Sequence, residues 1–547
     1  MQLTLDGIME KDNWEKAGVT LPSYDVKAIR AEAERNPIWA HFGIGNIFRL
    51  FIGSIADTLI TRGKLKSGLI CVETFDFDVV REIYRRYDNL ELSVILNNDG
   101  TEDKRVLAPF AEALIGSSKE TNDWKRLEQV FESPSLQLAS FTITEKGYSL
   151  KQSNGEYTDA AIADFKRGPN NPILVMSIVT SMLYKRYKAG KYPIALVSMD
   201  NCSHNGEKLQ NSVLTVANKW IGGGFCEREF KEYLSDEKYV AFPWTMIDKI
   251  TPRPEPEVAA KLSKIGIEDM NIVTTDKKTF IAPFGNAEKA QYLVIEDTFP
   301  NGRPPLEDAG VYLTDRDTVN KSERMKVCTC LNPIHTALCT YACMLGYEKF
   351  ADGIKDPDLA KLAHQIGYIE GLPVVIDPGI ISPRAFLDEV INVRMANPYL
   401  GDTSQRIAVD ISQMVGIRFG ETIKSYVERY GSAENLVGIP LAIAGWLRYL
   451  LAIDDNGKPL ELAPDPMIPE LQNQIENTGK KGKETNQKII FGVPDTLTNQ
   501  LYPILSNENI FGVDLYKAGI GNKIEIMFRE EIAGVGAVRY TLGKYLN

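Results

Sequence analysis

The chain has 547 residues, 44% of them hydrophobic and 25% charged, with a formal net charge of −11. This is ordinary globular composition, with apolar material for two large domains or three smaller ones. No long basic run or basic face stands out, which argues against nucleic acid as a partner, and an anionic ligand needs local cations or helix N-termini against the negative field.

The first thirty residues carry acidic groups and no long apolar run, so no signal peptide is expected. Residues 25–34 read as a helix. The apolar run 37–42 leads into Gly43-Ile-Gly45-Asn46-Ile-Phe48-Arg49, and 47–60 has helical spacing. This is strand, glycine turn, helix. Two glycines let the backbone turn tightly and approach a pyrophosphate, whose charge the helix N-terminus favours. Phe48 stands where the usual fingerprint has its third glycine, and an ordinary tight turn explains the same residues.

The next apolar run, 68–72, ends at Glu73. In Rossmann folds an acid there hydrogen-bonds the adenosine ribose and repels a 2′-phosphate, which favours NAD over NADP. Asp76 and Asp78 are rivals, and a solvated loop acid is the bland reading. Strand-like runs at 90–96, 136–143 and 193–199 alternate with helical segments, which predicts a parallel sheet with helices on both faces. Two polar clusters follow strands: Thr142-Ile-Thr144-Glu145-Lys146-Gly147-Tyr148 and Asp200-Asn201-Cys-Ser-His204-Asn205-Gly206-Glu207. Ligands bind at the carboxyl ends of such strands, and amide donors suit a developing alkoxide. Turn chemistry accounts for both clusters equally well.

From about residue 313 helical periodicity dominates, over 332–345, 357–367, 383–395, 403–414, 420–429 and 438–451, with strand signals scarce until the last thirty residues. The run Glu323-Arg-Met-Lys326-Val-Cys-Thr-Cys-Leu-Asn332-Pro-Ile-His335 opens this part. Oxidising an alcohol needs a base for the hydroxyl proton while hydride leaves for a nicotinamide, and a buried lysine can serve. Pro333 suits a first helical turn and makes Asn332 the N-cap, which would occupy its side chain. By spacing alone, an exposed Lys, a capping Asn and a packed His explain the segment. Cys328, Cys330, Cys339 and Cys343 with His335 allow a zinc reading, but their CxC and CxxxC spacings contain no CxxC knuckle. Buried thiols are the weightier reading, no metal is expected, and seven sparse Cys argue against a disulfide framework. The apolar run 440–452 falls short of the roughly 20 residues of a bilayer span and contains Arg448. The polar stretch 463–488, with Gly479-Lys-Lys-Gly-Lys483, reads as an exposed insertion. A cytoplasmic location is the default expectation.

Taken in order, these segments resemble the long-chain, polyol-specific mannitol dehydrogenase family, from about residue 21 to about 419. The set includes His41–Arg49, the 142–148 and 200–207 clusters, Phe242-Pro-Trp-Thr-Met-Ile-Asp248-Lys-Ile-Thr-Pro252, Ile295-Glu-Asp-Thr-Phe-Pro-Asn-Gly-Arg-Pro304, the 326–335 segment, and Arg394-Met-Ala-Asn397-Pro398 with Asp402, Arg406 and Asp410 beyond. The resemblance implies an α/β fold, with a Rossmann-type N-terminal domain over 1–312, a mainly α-helical domain over 313–547, and the active site in the interdomain cleft. It implies metal-independent hydride transfer with NAD. Lys326 would be the general base with Glu323 as its relay, and Asn332 with Asn201 or Asn205 the oxyanion hole. His335, Asp248, Arg394 and Arg406 would hold substrate. Gly43, Gly45, Asn46, Arg49, Glu73, Thr144, Glu145 and Asp200 would hold the cofactor.

The wording around Lys326 is similar to the fructuronate reductase branch, which implies D-mannonate plus NAD⁺ going to D-fructuronate plus NADH. Tagaturonate reduction and mannitol or arabinitol oxidation are alternatives on the same scaffold. Arg394 and Arg406 are the candidate cations for a substrate carboxylate, and salt bridges are their plain alternative. Five residues separate Lys326 from Asn332 where the family usually has four, and Met414 stands where relatives often carry Lys. A catalytically silent NAD-binding regulator on this fold is the alternative of another class, although the Glu323–Lys326–Asn332–His335 set has no use in one. The expected partners are a small sugar acid or polyol, with no nucleic acid or membrane, for a monomer or small homo-oligomer.

Overall fold

Six apolar runs in the first half form one parallel sheet: β1 (Trp39–Phe42), β2 (Leu69–Glu73), β3 (Phe110–Ile115), β4 (Leu138–Phe141), β5 (Ile194–Ser198) and β6 (Val240–Ala241). Their spatial order is β3-β2-β1-β4-β5-β6, the doubly wound order whose switch point lies between β1 and β4. The structure is a computed structural model describing residues 1–476 and 497–546. Residues 477–488 of the expected insertion, with the Gly479–Lys483 motif, lie outside the described residues.

Alternate strand residues face opposite sides of the sheet, and both sides are covered. Ala40, Phe42, Ile70, Val72, Ala139 and Phe141 pack into one core with the helices α2 (Thr121–Glu132), α3 (Val175–Gly190) and α4 (Asn205–Gly222). Trp39, Leu69, Cys71, Leu138, Ala195 and Val197 pack into the other with α1 (Gly53–Thr61). Burial on both faces is why these strands read as continuous apolar runs.

The run expected at 90–96 is a strand, Glu91–Leu96, but it lies in a second sheet. There it pairs antiparallel with Glu102–Leu107 and parallel with Phe284–Ala287. A third sheet joins Thr245–Asp248, Tyr292–Glu296 and Tyr312–Thr314. The last of these strands keeps the chain in the first compact unit, which runs Met1–Asn320; the second is Lys321–Asn547.

The second unit is helical. Its centre is α5 (Asn332–Leu345) against α6 (Gly438–Tyr449), with α6 against α7 (Gly521–Glu531). A Cβ at Gly445 would lie 2.3 Å from the Tyr341 ring, so glycine is what lets α5 and α6 approach this closely. Arg448, the cation inside the apolar run, is fully buried and donates to the carbonyls of Ile453, Asp454 and Glu531. Among the described residues no helix is long and apolar enough to cross a membrane.

Two sequence readings need correction. The expected helix at 403–414 is broken into Ser404–Ile407 and Ile411–Val415, because Asp410 takes φ +56°. The last thirty described residues form helices, α7 and Ala537–Leu546, rather than strands. Ile524, Met527 and Phe528 lie at helical spacing on the buried face of α7, and tertiary packing overrides their β-propensity.

Glu531 closes α7 in the core. One carboxylate oxygen accepts from Tyr341 Oη at 2.5 Å, and the other is buried without a partner. Burial pushes its pKa up to about 8. The folded chain thus keeps a proton that the unfolded chain releases at an ordinary carboxylate pKa, so stability is lost as pH rises from about 5 to about 8. Glu531→Gln cannot ionise. Its Tm is expected to match wild type near pH 5 and to exceed it at pH 8; parallel pH profiles of thermal unfolding would refute this.

Candidate active site

In the first unit the candidate site is built at the carboxyl ends of β1, β2, β4 and β5. His41 pairs in register with Ser140, and its ring is buried and stacked on Phe48. Its Nδ1 meets Ser140 Oγ at 2.6 Å and its Nε2 meets Thr142 Oγ1 at 2.9 Å. Trp39 Nε1 donates to Ser140 Oγ, and Thr142 Oγ1 donates to Gly43 O. With Thr142 donating onward, His41 must carry its proton on Nε2 and accept from Ser140 at Nδ1. Burial holds its pKa down at about 3, so it is neutral. This polar chain ties β4 to the turn at Gly43.

Gly43 has φ +86°, and a Cβ there would sit 2.2 Å from Thr142 O. Gly45 is different: among the described residues, its chain neighbours aside, nothing lies within 4 Å of its Cβ position. A turn forced at Gly43 and left open at Gly45, running into a helical segment, is the cradle a pyrophosphate needs. Glu73, at the end of β2, is buried against this turn. Its carboxylate accepts from the backbone N–H groups of Ile44, Thr74, Phe75 and Asp76, at 2.9–3.3 Å. Burial pushes its pKa up, against the pull of those four donors. Glu73 thus shapes both loops and places its carboxyl group beside the turn.

Three residues expected at the cofactor are used inside the protein. The buried Arg49 guanidinium donates to Glu91 at 2.6 Å, to Ala282 O and to Asn46 Oδ1. Asn46 in turn donates to Pro252 O. These side chains brace the start of the helix against neighbouring strands. Asp200 accepts from the N–H groups of Ile143 and Thr144, both at 2.9 Å, and from Tyr148 Oη at 2.6 Å. It thereby holds Thr144 at φ +63°, a strained conformation for a β-branched residue. Glu145 is exposed and paired with Lys208. With Thr144, Tyr148, Leu150 and Tyr157 these two line a groove of about 920 Å³.

Asn201 and Asn205 differ in their surroundings. Asn205 is buried, donates to Asp200 O and to Thr245 O and Oγ1, and accepts from Thr245 N and Gly206 N. Its amide is fully engaged in joining α4 to the strand Thr245–Asp248, which carries Asp248. Asn201 lies on the exposed loop before it.

The second unit holds Lys326, Asn332 and His335 in one continuous run, with Glu323 one turn before Lys326. Lys326 is 2% exposed and opens a π-helical turn, Lys326–Cys330. A π turn takes one residue more than an α turn, and the five-residue interval before Asn332 is accommodated there. Asn332 is the first residue of α5. The cap position is Leu331, and no side chain caps the helix, so the expected N-cap role of Asn332 is corrected and its amide is not spent on the backbone. His335 lies one turn on, edge-to-face with Phe350 at 5.1 Å. Arg394 is buried at the end of a π turn, Val390–Arg394. Arg406 lies on a helix surface: its side chain is 67% exposed and bonded to Asp402. The Cys residues are free thiols. Burial pushes Cys328, Cys330 and Cys343 up to about 12, and no three metal-ligating side chains converge among the described residues.

Residues 38–308 match the family model of the mannitol dehydrogenase Rossmann domain, and 318–497 match that of the mannitol dehydrogenase C-terminal domain. The chain belongs to the mannitol dehydrogenase family. It is therefore an oxidoreductase acting on CH–OH groups. It is 50% identical to the D-mannonate oxidoreductase of Thermotoga maritima over 545 residues, 99% of this chain and 98% of that one. A substrate-free D-sorbitol dehydrogenase superposes with a TM-score of 0.76 at 25% identity, covering 95% of this chain and 97% of that one. The Pseudomonas fluorescens mannitol 2-dehydrogenase in ternary complex with NAD and D-mannitol gives a TM-score of 0.70 at 23% identity, covering 100% and 99%.

Sequence reasoning assigned no role to two residues of this mannitol dehydrogenase family chain. His41 was visible as a polar residue in an apolar strand, with Ser140 in β4 and Thr142 just after it as equally unusual polar residues. Arg418 carried no local signal, since its partner Thr336 is 82 positions away.

Proposed function

We propose that this chain interconverts D-mannonate and D-fructuronate with NAD as the redox partner. The observation that carries this reading is 50% identity, over essentially the whole of both chains, to a D-mannonate oxidoreductase. The unspent Asn332 amide and the buried Lys326 in the segment Lys326–His335 agree with it.

In this reading Lys326 Nζ takes the proton of the hydroxyl being oxidised, and its burial keeps bulk water from competing. Glu323, one turn earlier, relays that proton to solvent. Asn332 and Asn201 donate hydrogen bonds to the oxygen as it gains negative charge and becomes a carbonyl. His335, Asp248 and Arg394 hold the remaining hydroxyls. The Gly43–Gly45 turn seats the pyrophosphate, and NAD bound there supplies the hydride acceptor. Asp200 and Asn205 act indirectly, by holding the loops at the ends of β4 and β5. Glu73 selects NAD, because a 2′-phosphate would be brought against a buried carboxylate. The seven free thiols suit a reducing compartment, and we place the enzyme in the cytoplasm as a monomer or small homo-oligomer.

The test is NADH and NADPH consumption with D-fructuronate, D-tagaturonate and D-fructose in parallel. The expected result is turnover with NADH and strong preference for D-fructuronate. Preference for D-fructose would make the chain a polyol dehydrogenase, and preference for D-tagaturonate would move it to the epimeric acid. No oxidation with any of them would leave a nucleotide-binding protein without turnover.

A further inference from the structure

Asn332, His335, Thr336 and Cys339 share one stripe of α5, at i, i+3, i+4 and i+7. Next to the stripe is Arg418, on the π turn Gly416–Gly420, whose Nη1 donates to Thr336 Oγ1 at 2.6 Å. That neutral hydroxyl is its one hydrogen-bond partner among the described residues. The guanidinium Nε is buried with no partner, while the residue keeps part of its surface open. The titratable group facing Arg418 is the Cys339 thiol, which burial keeps protonated.

Other arginines of this unit are satisfied differently. Arg324 is on Glu421, Arg406 on Asp402, Arg539 on Asp356 and Asp358, and Arg448 on three carbonyls. A guanidinium cannot shed its proton, and burying one without an anion is unfavourable. Arg418 is therefore arranged to receive an anion that the described residues do not supply.

We propose that Arg418, steadied by Thr336, binds the carboxylate of the hexonate substrate and is the residue that separates sugar acids from neutral polyols. This rests on the reading above, in which the reacting oxygen lies at Asn332. In a hexonate oxidised at the carbon next to its terminal hydroxymethyl group, the carboxylate is four carbon–carbon bonds away, about 5 Å in an extended chain. Asn332 and Thr336 are four residues apart on the helix, about 6 Å along the axis. A substrate held at Asn332 and running toward Arg418 thus brings its carboxylate to the exposed part of that residue, while Thr336, itself buried, steadies the guanidinium from the protein side. The planar fork of donors suits two-point carboxylate binding, which lysine cannot reproduce.

The experiment compares wild type with Arg418→Met and Arg418→Lys, using D-fructuronate and D-fructose as substrates and NADH as the reductant. For Arg418→Met, KM for fructuronate is expected to rise about a hundredfold, with kcat changed little, KM for NADH unchanged, and kcat/KM for fructose within threefold of wild type (about that margin separates a lost contact from ordinary surface effects). Arg418→Lys is expected to recover part of the loss. Where fructose turnover is slow, inhibition by D-mannonate and by D-mannitol makes the same comparison, with weakening confined to the acid. An unchanged KM for fructuronate would overturn the proposal, as would equal losses on acid and neutral sugar. Should Arg418→Met not fold, Arg418→Lys alone decides: a loss confined to the acid supports the site, and an equal loss on both refutes it. If wild type does not turn over fructuronate at all, the functional reading fails first, and the inference with it.

Discussion

Lys326→Ala is expected to lower kcat by about 10²- to 10⁴-fold, the usual worth of a positioned general base, while NADH binds as it does to wild type. Lys326 is 2% exposed and begins a π turn on the segment that ends at Asn332. The side chain is enclosed and its placement is set by the backbone on both sides. Stopped-flow turnover with D-fructuronate, together with NADH fluorescence titration, separates the two effects. Partial rescue by added methylamine would identify the missing group as an amine. Near-normal turnover in the variant would remove Lys326 as the base.

Gly43→Ala is expected to weaken NADH binding more than a hundredfold and to lower stability as well. The new methyl would meet Thr142 O at 2.2 Å and Ile143 Cγ2 at 2.9 Å, on a backbone at φ +86°. An L-residue in the left-handed region costs about 1–2 kcal/mol before any overlap is counted. The overlap here is with backbone, which cannot step aside without moving the end of β4. Gly45→Ala is the informative partner, since among the described residues no atom beyond its chain neighbours lies within 4 Å of the added methyl. It is expected to melt like wild type and still lose cofactor affinity, because the methyl occupies space the pyrophosphate needs. A Gly45→Ala protein with wild-type NADH affinity would show that the turn does not carry the cofactor.

Much of the fold was legible because burial writes itself into local pattern. β1, β2, β4 and β5 are covered on both faces, and each reads as an apolar run followed by glycine or polar residues. β3 and the placement of Glu91–Leu96 were not legible. An apolar run signals a buried strand, but not which sheet will pair with it, and the second sheet recruits Phe284–Ala287 from nearly two hundred residues away. The helices of the second unit followed from 3.6-residue periodicity. The break at Asp410 did not, because a left-handed residue leaves no periodic trace.

At the site, sequence alone determined which residue types were present and in what order. A base with an acid one turn before it, an amide, two glycines at a strand end and an acid at the next strand end all lie in short continuous segments. Tertiary structure decided which of their polar groups remain for a ligand. Asn205 and Asn201 are equivalent as text, but Thr245 folds onto Asn205 and uses its whole amide. Arg49 looked like a cofactor residue until Glu91, from the second sheet, and Ala282, from the loop before Phe284–Ala287, took its donors. Asn332 looked committed to capping until the π turn left the cap at Leu331. Hydrogen-bonding capacity is finite, and partners far away in the chain use it up. Local sequence therefore names the candidate groups, and the folded chain sets which of them are left to do chemistry.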